Sequence, residues 1–354
     1  MAIPTELVGS IPRPRELTQA FFAFEANAID VDSLNASKDA AVQATIERLE
    51  ETGSPVLSDG EQSKPSFVSY PFEGLTNLAP DGIAIPFADG HERRLPRLTT
   101  GPFRYGVFAG SYVKKARTFT KHPIKQAVIS SSALSLLYPA ETIRGYAKAE
   151  FEADLVNEAE ADIRSAFNEG AIIVQIDFTE ARLSLKLDPS GELLRSFIAL
   201  NKRVLDRFSA EALANIGVHV CPGGDRDSTH SAEIDYAGLF PDLLRMNAGR
   251  FYLQMASEPD RKRVLHLVRE NMHPSQLIFI GVIDPINPEV ETPELVRSRV
   301  LEAAQFLPLR QLGTTDDCGF SPFGDDVSTS REIAFAKIKA RVEGTRLAAL
   351  ELGI

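Results

Sequence analysis

The residues of this chain best suited to metal chemistry are one histidine and the two cysteines. His219 and Cys221 are separated by one residue, and Cys318 is the second cysteine. On a β-strand, positions i and i+2 face the same side. Imidazole and thiolate are preferred ligands of Zn²⁺, and three protein ligands with an open fourth position are typical of a catalytic zinc site. The alternative is a buried neutral histidine with two inert buried thiols.

Further polar residues occur where short apolar runs end. Ser10, Asp177 and Asp284 each end such a run, and Glu61 follows another by two residues. In α/β barrels, the residues that carry chemistry come from the carboxyl ends of the strands and the loops after them. If these runs are parallel strands, their polar ends and both cysteines meet at one site.

The apolar runs are short and continuous, which is typical of strands buried on both faces. Amphipathic helical segments separate most of them, and Thr292 and Ser328 are predicted N-caps. The pattern predicts an α/β fold, namely a (β/α)8 TIM barrel. A doubly wound sheet is the rival, but it usually has fewer strands, and no glycine fingerprint follows the first run. The eight predicted strands are Glu6–Ser10, Pro55–Asp59, Gln126–Ser131, Ala171–Asp177, Ile216–Cys221, Arg250–Met255, Leu277–Asp284 and Arg310–Thr314.

One segment, residues 62–125, interrupts this alternation after the second predicted strand. It has no long helical pattern and is rich in Pro, Phe, Tyr and Gly. Gly82–Phe87 and Arg93–Leu98 flank the turn-like Asp89-Gly90, which predicts a β-hairpin. We therefore expect residues 1–354 to form a single barrel domain, with 62–125 as an insertion over its mouth.

Composition narrows the class of protein. The 354 residues include 38 Lys and Arg against 49 Asp and Glu, a net charge of −11, which argues against a nucleic-acid partner. No apolar stretch approaches the ~20 residues of a membrane span. The amino terminus lacks the pattern of a signal peptide. We expect a cytoplasmic protein with two free thiols and no membrane partner.

Five segments, in the same order, resemble the catalytic domain of cobalamin-independent methionine synthase and its single-domain relatives. Leu7–Pro14 (LVGSIPRP) is similar to that family's opening Gly-Ser-x-Pro segment. Val56–Phe67 (VLSDGEQSKPSF) resembles its Gly-Glu segment, and Val174–Leu183 (VQIDFTEARL) resembles its Gln-Ile-Asp segment. His-Val-Cys and Asp-Asp-Cys-Gly-Phe resemble its two cysteine segments. Each lies at a predicted strand end.

The resemblance implies that a zinc-bound thiol is alkylated by a carbon donor. His219, Cys221 and Cys318 would be the zinc ligands. Ser10, Glu61 and Asp177 would bind the amino-acid part of homocysteine, the two carboxylates pairing with its ammonium group. A free thiol has a pKa of about 8.5, and coordination to Zn²⁺ removes its proton. The donor in this family is methyltetrahydrofolate.

The chain departs from the family at the fourth zinc ligand and at the general acid. Gln254 stands where the family has a zinc-binding Glu, and Glu258 or Glu233 could substitute for it. Where the synthases place a histidine for acid catalysis, this chain has an isoleucine, although Asp284 remains nearby. His230 is a candidate replacement acid, the alternative being an ordinary surface histidine.

The chain also has no tryptophan, on which the synthases stack the pterin. Aromatic residues near the predicted mouth could replace it: Phe67, Tyr70, Tyr138, Phe178 and Phe320.

Two alternatives therefore remain beside methionine synthesis. The first is a zinc-dependent thiol alkyltransferase similar to epoxyalkane:coenzyme M transferase, which would join a coenzyme M-like thiol to an epoxide. Arg182 and Arg226 could then bind a sulfonate or carboxylate. The second is a non-catalytic barrel that binds a metal or ligand without turnover.

Overall fold

The computed structural model describes residues 2–223, 229–326 and 328–354. Its strands are β1 Leu78–Ala79, β2 Ala84–Pro86, β3 Glu92–Arg94, β4 Arg97–Leu98, β5 Ile124–Ile129, β6 Ala171–Asp177, β7 Ile216–Val220, β8 Arg250–Leu253, β9 Leu277–Ile283 and β10 Leu312–Asp316. The α-helices are α1 Arg15–Glu25, α2 Val31–Glu51, α3 Gly110–Ala116, α4 Ser131–Ser135, α5 Lys148–Asn168, α6 Glu180–Leu187, α7 Glu192–Leu205, α8 Ala210–Leu213, α9 Arg261–Asn271, α10 Pro293–Ala304 and α11 Arg331–Glu351.

The centre of the fold is a six-stranded parallel sheet in the order β10-β9-β8-β7-β6-β5. These strands confirm the third to eighth predicted strands. Every residue of β5 and β7 is buried, as the continuous apolar runs predict. The fold is therefore of the α/β class, and its parallel sheet fits a TIM-barrel-like enzyme.

The first two predicted strands make only single bridges. Thr5 pairs with Thr314 of β10, and Leu57 pairs with Ile124 of β5, both in parallel. The two segments thus extend the sheet at its two opposite edges. Between them, the backbone N–H of Ile11 donates to Gly60 O at 3.0 Å, and Ser58 Oγ donates to Gly9 O at 2.8 Å.

The sheet is curled around buried charged side chains. The Glu6 carboxylate lies 2.7 Å from Arg250 Nη1 of β8 and 3.6 Å from Lys125 Nζ of β5. It also accepts a hydrogen bond from Tyr252 Oη at 2.5 Å. Because β5 and β8 are not neighbours in the sheet, contact of both with one side chain requires curvature.

Helices follow the strands and pack on the sheet. Thr292 caps α10 through a 3.2 Å bond from Leu295 N, which confirms this predicted N-cap. Ser328 is not the cap of α11: the helix begins at Arg331, and Ser330 occupies the N-cap position. Among the described residues, no helix combines the length and the apolar character needed to cross a bilayer.

Between Leu57 and β5, two short antiparallel pairs form. β2 pairs with β3 around the Asp89-Gly90 turn, and β1 pairs with β4. The predicted second arm, Arg93–Leu98, is thus shared between two different pairs. Pro96 lies between them and has no N–H to donate to a ladder.

Candidate metal and substrate site

The three predicted metal ligands come together at the carboxyl ends of β7 and β10. His219 lies on β7, Cys221 directly follows that strand, and Cys318 follows β10 by two residues. One donor atom from each lies within 4.8 Å of the other two, and all three residues are buried. The two Sγ atoms are 2.9 Å apart, and the two cysteines are not joined by a disulfide bond.

The cluster favours an ionised thiol beside the imidazole. A hydrogen bond with Cys318 lowers the pKa of Cys221 well below the ordinary thiol value, and the charge on His219 adds to this although burial opposes it. Burial disfavours the imidazolium of His219, but the neighbouring Cys221 and Asp177 together raise the His219 pKa. A negative sulfur is therefore stabilised here.

The donor set fits zinc. Neither ring nitrogen of His219 has a hydrogen bond of normal geometry among the described residues, although Cys221 is close enough to influence the ring's pKa. A buried imidazole without partners is costly unless something else binds it. One imidazole nitrogen and two sulfurs form a ligand set typical of Zn²⁺. The three residues could hold this ion.

Among the described His, Cys, Asp and Glu residues, only His219, Cys221 and Cys318 make up this group. Within the described residues, no Asp or Glu joins the cluster. Gln254 Oε1 accepts a hydrogen bond from Arg182 Nη1 at 2.9 Å, and its amide nitrogen donates to Ser257. Glu233 forms an exposed ion pair with Lys186. Burial raises the pKa of Glu258, which is not a member of the group. An open coordination position is what a thiol substrate would need.

The cluster opens on a cavity of about 580 Å³. Its lining includes the three metal-site residues and each of the residues expected to bind homocysteine: Ser10, Glu61 and Asp177. Glu180 and His230 also line it. The structure thus gathers strand-end residues that are separated by up to about three hundred positions in the sequence.

Glu61 has a buried cationic partner. Its Oε1 lies 2.9 Å from Lys64 Nζ, and both side chains are buried. Lys64 also donates to Ala127 O and lies 4.7 Å from the centre of the Tyr70 ring. Glu61 adopts a φ of +58°, and its N–H donates to Asp59 Oδ1 at 3.0 Å. A left-handed conformation is strained in a non-glycine residue. The hydrogen bond to Asp59 and the ion pair with Lys64 hold Glu61 in this conformation.

Asp177 is the register partner of His219 in the β6–β7 ladder. Burial raises the pKa of its carboxyl group to about 7, and Glu61 raises it further, while His219 opposes this. Gln175 Nε2 donates to Oδ1 at 2.7 Å. A cation entering the cavity would therefore stabilise the ionised form of Asp177.

Ser10 is packed against the loop that carries Cys318. Its Oγ accepts a hydrogen bond from Ser321 N at 3.2 Å. A Cβ at position 319 would lie 2.1 Å from this Oγ, so the close approach requires Gly319. Because Ser10 Oγ accepts a backbone N–H, its own hydroxyl hydrogen is available to a ligand.

The two expected acid-base residues have different surroundings. His230 lines the cavity, where its ring contacts Phe87 edge-on and its Nδ1 lies 2.9 Å from Ser231 Oγ. Burial lowers the pKa of His230 to about 4, so it is neutral at pH 7. Asp284 is not among the described residues that line the cavity, and its Oδ1 accepts from Ile286 N in a local turn. His230 is therefore not an imidazolium at neutral pH, and Asp284 lies outside the described cavity lining.

Arg182 is buried away from the cavity lining among the described residues. Its three guanidinium nitrogens donate to Ile234 O, Gln254 Oε1 and Ala232 O at 2.8–2.9 Å. Three of the five N–H groups of the guanidinium are thus used to hold the loop after β7 and Gln254, and these contacts hold the guanidinium outside the described cavity lining. Arg226, the other arginine considered, lies outside the described residues.

The apolar part of the cavity is lined by phenylalanines from three regions of the chain. Of the five aromatic residues considered from the sequence, only Phe67 is among the described lining residues; Tyr70, Tyr138, Phe178 and Phe320 pack in the core. The sequence interpretation missed the contributions of helix α1 and of the β2–β3 hairpin. Among the described residues, the aromatic side chains that line the cavity are Phe21, Phe22, Phe67, Phe72, Phe87, Phe323, His219 and His230.

Two polar residues of the site were also missed. Lys64 is fully buried beside Glu61, and Glu180 is a third buried carboxyl group in the cavity lining. The signal for Glu180 was its position three residues after Asp177 within VQIDFTEARL. A helix beginning directly after β6 places that residue beside the strand end.

The sequence of this chain is similar to a known protein family and to several of its members. Residues 3–339 match the family described as "Cobalamin-independent synthase, Catalytic domain". The methionine synthase of Saccharolobus solfataricus is 21% identical over 351 residues, covering 99% of this chain and 96% of that protein. The methionine synthase of Thermococcus kodakarensis is 23% identical over 351 residues, covering 99% and 94%.

A solved structure extends the likeness to the fold. The B12-independent methionine synthase from Shewanella sp. W3-18-1, in complex with selenomethionine, gives a TM-score of 0.79 at 20% identity and covers 99% of both chains. At this level of sequence identity, the structural likeness shows a shared fold. Because the family match spans nearly the whole sequence, the chain belongs to the family of the cobalamin-independent synthase catalytic domain.

Proposed function

We propose that this protein is a zinc-dependent transferase that moves a methyl group to the sulfur of homocysteine. The observation that carries the proposal is the buried His219–Cys221–Cys318 group opening on a cavity that also contains Asp177, Glu61 and Ser10. The methionine synthases to which the chain is similar support the same reaction.

The thiol substrate would be bound by groups at both ends. Zinc held by His219, Cys221 and Cys318 would supply a Lewis acid that favours the thiolate of the substrate. The Asp177 and Glu61 carboxylates would receive the substrate's ammonium group, and Ser10 can donate to its carboxylate. These contacts fix the sulfur at one place in the cavity, so that the methyl donor must approach along one direction.

The apolar part of the cavity would receive the methyl donor, which we propose is methyltetrahydrofolate. Flat phenylalanine rings from α1 and from the β2–β3 hairpin can pack on a pterin, although no tryptophan is present. The alternative epoxide and coenzyme M-like substrates lose their main support, because Arg182 is hydrogen-bonded to the loop after β7 and is not among the described residues that line the cavity.

We further propose that residues 1–354 form one closed eight-stranded barrel with residues 62–125 as its cover. The bridges of Thr5 to β10 and of Leu57 to β5 support closure. Ile85, Phe87 and Arg93 of the hairpin region line the cavity, which supports the covering role of the insertion.

The test is methionine formation from homocysteine and methyltetrahydrofolate, followed by mass spectrometry. Zinc-loaded wild-type protein should form methionine, whereas Cys318→Ser should lose zinc and activity, a fall of at least about 100-fold. The control is Ser69→Ala, which removes a hydroxyl elsewhere in the cavity lining and should keep both. Full activity of metal-free Cys318→Ser protein would refute zinc dependence.

A further inference from the structure

Glu180 belongs to a buried polar network that the substrate contacts described above do not use. It is the first residue of α6, lies beside Asp177 and lines the cavity. Its Oε1 accepts hydrogen bonds from Ser130 Oγ at 2.6 Å and from Ser132 Oγ. Its Oε2 is buried and has no hydrogen-bond partner among the described residues. The two oxygens of one carboxyl group are thus in different environments.

The direction of these hydrogen bonds is fixed by the surrounding donors. Ser130 Oγ accepts from Ala133 N at 3.1 Å, because Ser130 is the N-cap of α4. Asn201 Oδ1 accepts from Ser132 N at 3.2 Å, which leaves its Nδ2 to donate to Ser132 Oγ at 2.7 Å. Both serine oxygens therefore receive a hydrogen, and Glu180 Oε1 is the shorter-range acceptor for each serine hydroxyl. The second acceptor available to Ser132 Oγ is Ser130 Oγ, at 3.3 Å.

It follows that Oε1 is the accepting oxygen and Oε2 the one that carries a proton. An ionised carboxylate would leave a charged oxygen buried without a partner, which costs more than a neutral hydroxyl at the same place. The hydrogen of a protonated Oε2 has no acceptor among the described residues. Burial agrees with this, since it raises the pKa of Glu180 to about 7, with Asp177 raising it further and the two serines opposing. Both forms are then populated near neutral pH.

We propose that Glu180 is the proton donor to the leaving group of the methyl donor, an inference that rests on the proposed function. In the step, the thiolate sulfur forms a bond to the methyl carbon while the carbon–nitrogen bond of methyltetrahydrofolate breaks. The electron pair of that bond goes to the nitrogen, which takes the proton from Oε2. The products are the thioether, the N–H form of the pterin and the Glu180 carboxylate, which is reprotonated from solvent.

This assignment supplies an acid that neither of the two candidates from the sequence supplies. His230 is neutral at pH 7, and Asp284 is outside the described cavity lining. A tertiary amine nitrogen is a poor leaving group unless it is protonated, and a positioned acid contributes about 10²–10⁴-fold to such a step.

The test compares two methyl donors that differ in their leaving groups. Glu180→Gln keeps the shape and an acceptor for both serines but has no acidic proton. With methyltetrahydrofolate, its turnover should fall by at least about 100-fold. With iodomethane, which releases iodide and needs no acid, methylation of zinc-bound homocysteine should stay within about threefold of wild type. Background alkylation is measured with Cys318→Ser.

Two further variants sharpen the result. Glu180→Ala leaves space beside Ser130 and Ser132, and added acetic acid should restore part of its turnover with methyltetrahydrofolate. Glu92→Gln, a carboxylate in the hairpin part of the cavity lining, is the matched control and should behave as wild type. Zinc content and homocysteine binding by calorimetry should be unchanged in all three variants, which shows that each is folded.

Different outcomes would refute the role of Glu180 and the proposed function. Wild-type turnover in Glu180→Gln with methyltetrahydrofolate, equal losses with both donors, or no rescue by acetic acid would each refute the proton donor. Zinc-loaded wild-type protein that binds homocysteine but forms no methionine from methyltetrahydrofolate would refute the proposed function itself.

Discussion

Among single residues, Asp177 and Glu61 are chemically alike but differ in their partners. Glu61 is already paired with Lys64 at 2.9 Å, whereas Asp177 has the neutral Gln175 amide as its hydrogen-bond donor. A substrate ammonium group therefore improves the electrostatic environment of Asp177 more than that of Glu61. We infer that Asp177 contributes the larger share of amino-acid recognition, because it gains a direct ion pair that it lacks among the described residues.

Asp177→Asn should raise KM for homocysteine by about 10–100-fold, since a charge-assisted hydrogen bond in a buried site contributes about 1.5–3 kcal/mol. KM for methyltetrahydrofolate should change by less than about threefold. Steady-state kinetics with each substrate varied in turn gives both values. Glu25→Gln, at the exposed rim of the same cavity, is the control. Equal rises in both KM values would remove the proposed role of Asp177.

At the level of elements, Asp317 ties the end of β10 to the loop after β8. Its carboxylate accepts hydrogen bonds from Met255 N, Ala256 N and Ser257 N, each at 2.8 Å, and from Ser257 Oγ. A Cβ at Gly281 would lie 1.8 Å from Asp317 Oδ1, so β9 also leaves room for it. One side chain thus fixes the loop that carries Cys318.

Asp317→Asn should lower the free energy of unfolding by about 1–3 kcal/mol, because an amide has a single acceptor oxygen and turns N–H groups toward backbone donors. Urea denaturation of the metal-free protein measures this directly. Asp81→Asn, which breaks an exposed pair with Arg97, should cost less than about 1 kcal/mol. If both variants lost the same free energy of unfolding, the hydrogen bonds of Asp317 would contribute no more to stability than the exposed pair of Asp81.

The same elements show what the sequence could and could not predict. Continuous apolar runs predicted β5 to β10 because both faces of a parallel sheet are buried. The first two predicted strands form single bridges, since Gly9 O is bonded by the Ser58 side chain rather than by a ladder partner. The His219–Cys221 spacing predicted the cluster because residues two apart share a strand face. No spacing rule could have predicted that Arg182 donates to two loop carbonyls, because those contacts depend on how the loop after β7 folds back.

For the molecule as a whole, the proposed metal site connects distant parts of the sheet. β7 and β10 are separated by β8 and β9 in the sheet order, and Cys221 and Cys318 are 97 positions apart in sequence. An ion bound by both cysteines exists only in the folded chain, so its binding free energy adds to the free energy of unfolding. Zinc binding and global stability should therefore be linked.

Removing zinc should lower the thermal midpoint of wild-type protein. At a free zinc concentration of about 100 times Kd, the ion contributes about 2.7 kcal/mol, which for a chain of this length corresponds to a shift of roughly 3–4 °C. Calorimetry with and without a chelator measures it. Cys318→Ser should show no shift on chelation, whereas Ser69→Ala should shift as wild type does. A wild-type midpoint that does not respond to zinc would mean that His219, Cys221 and Cys318 hold no ion, because an ion that binds only the folded state must stabilise it.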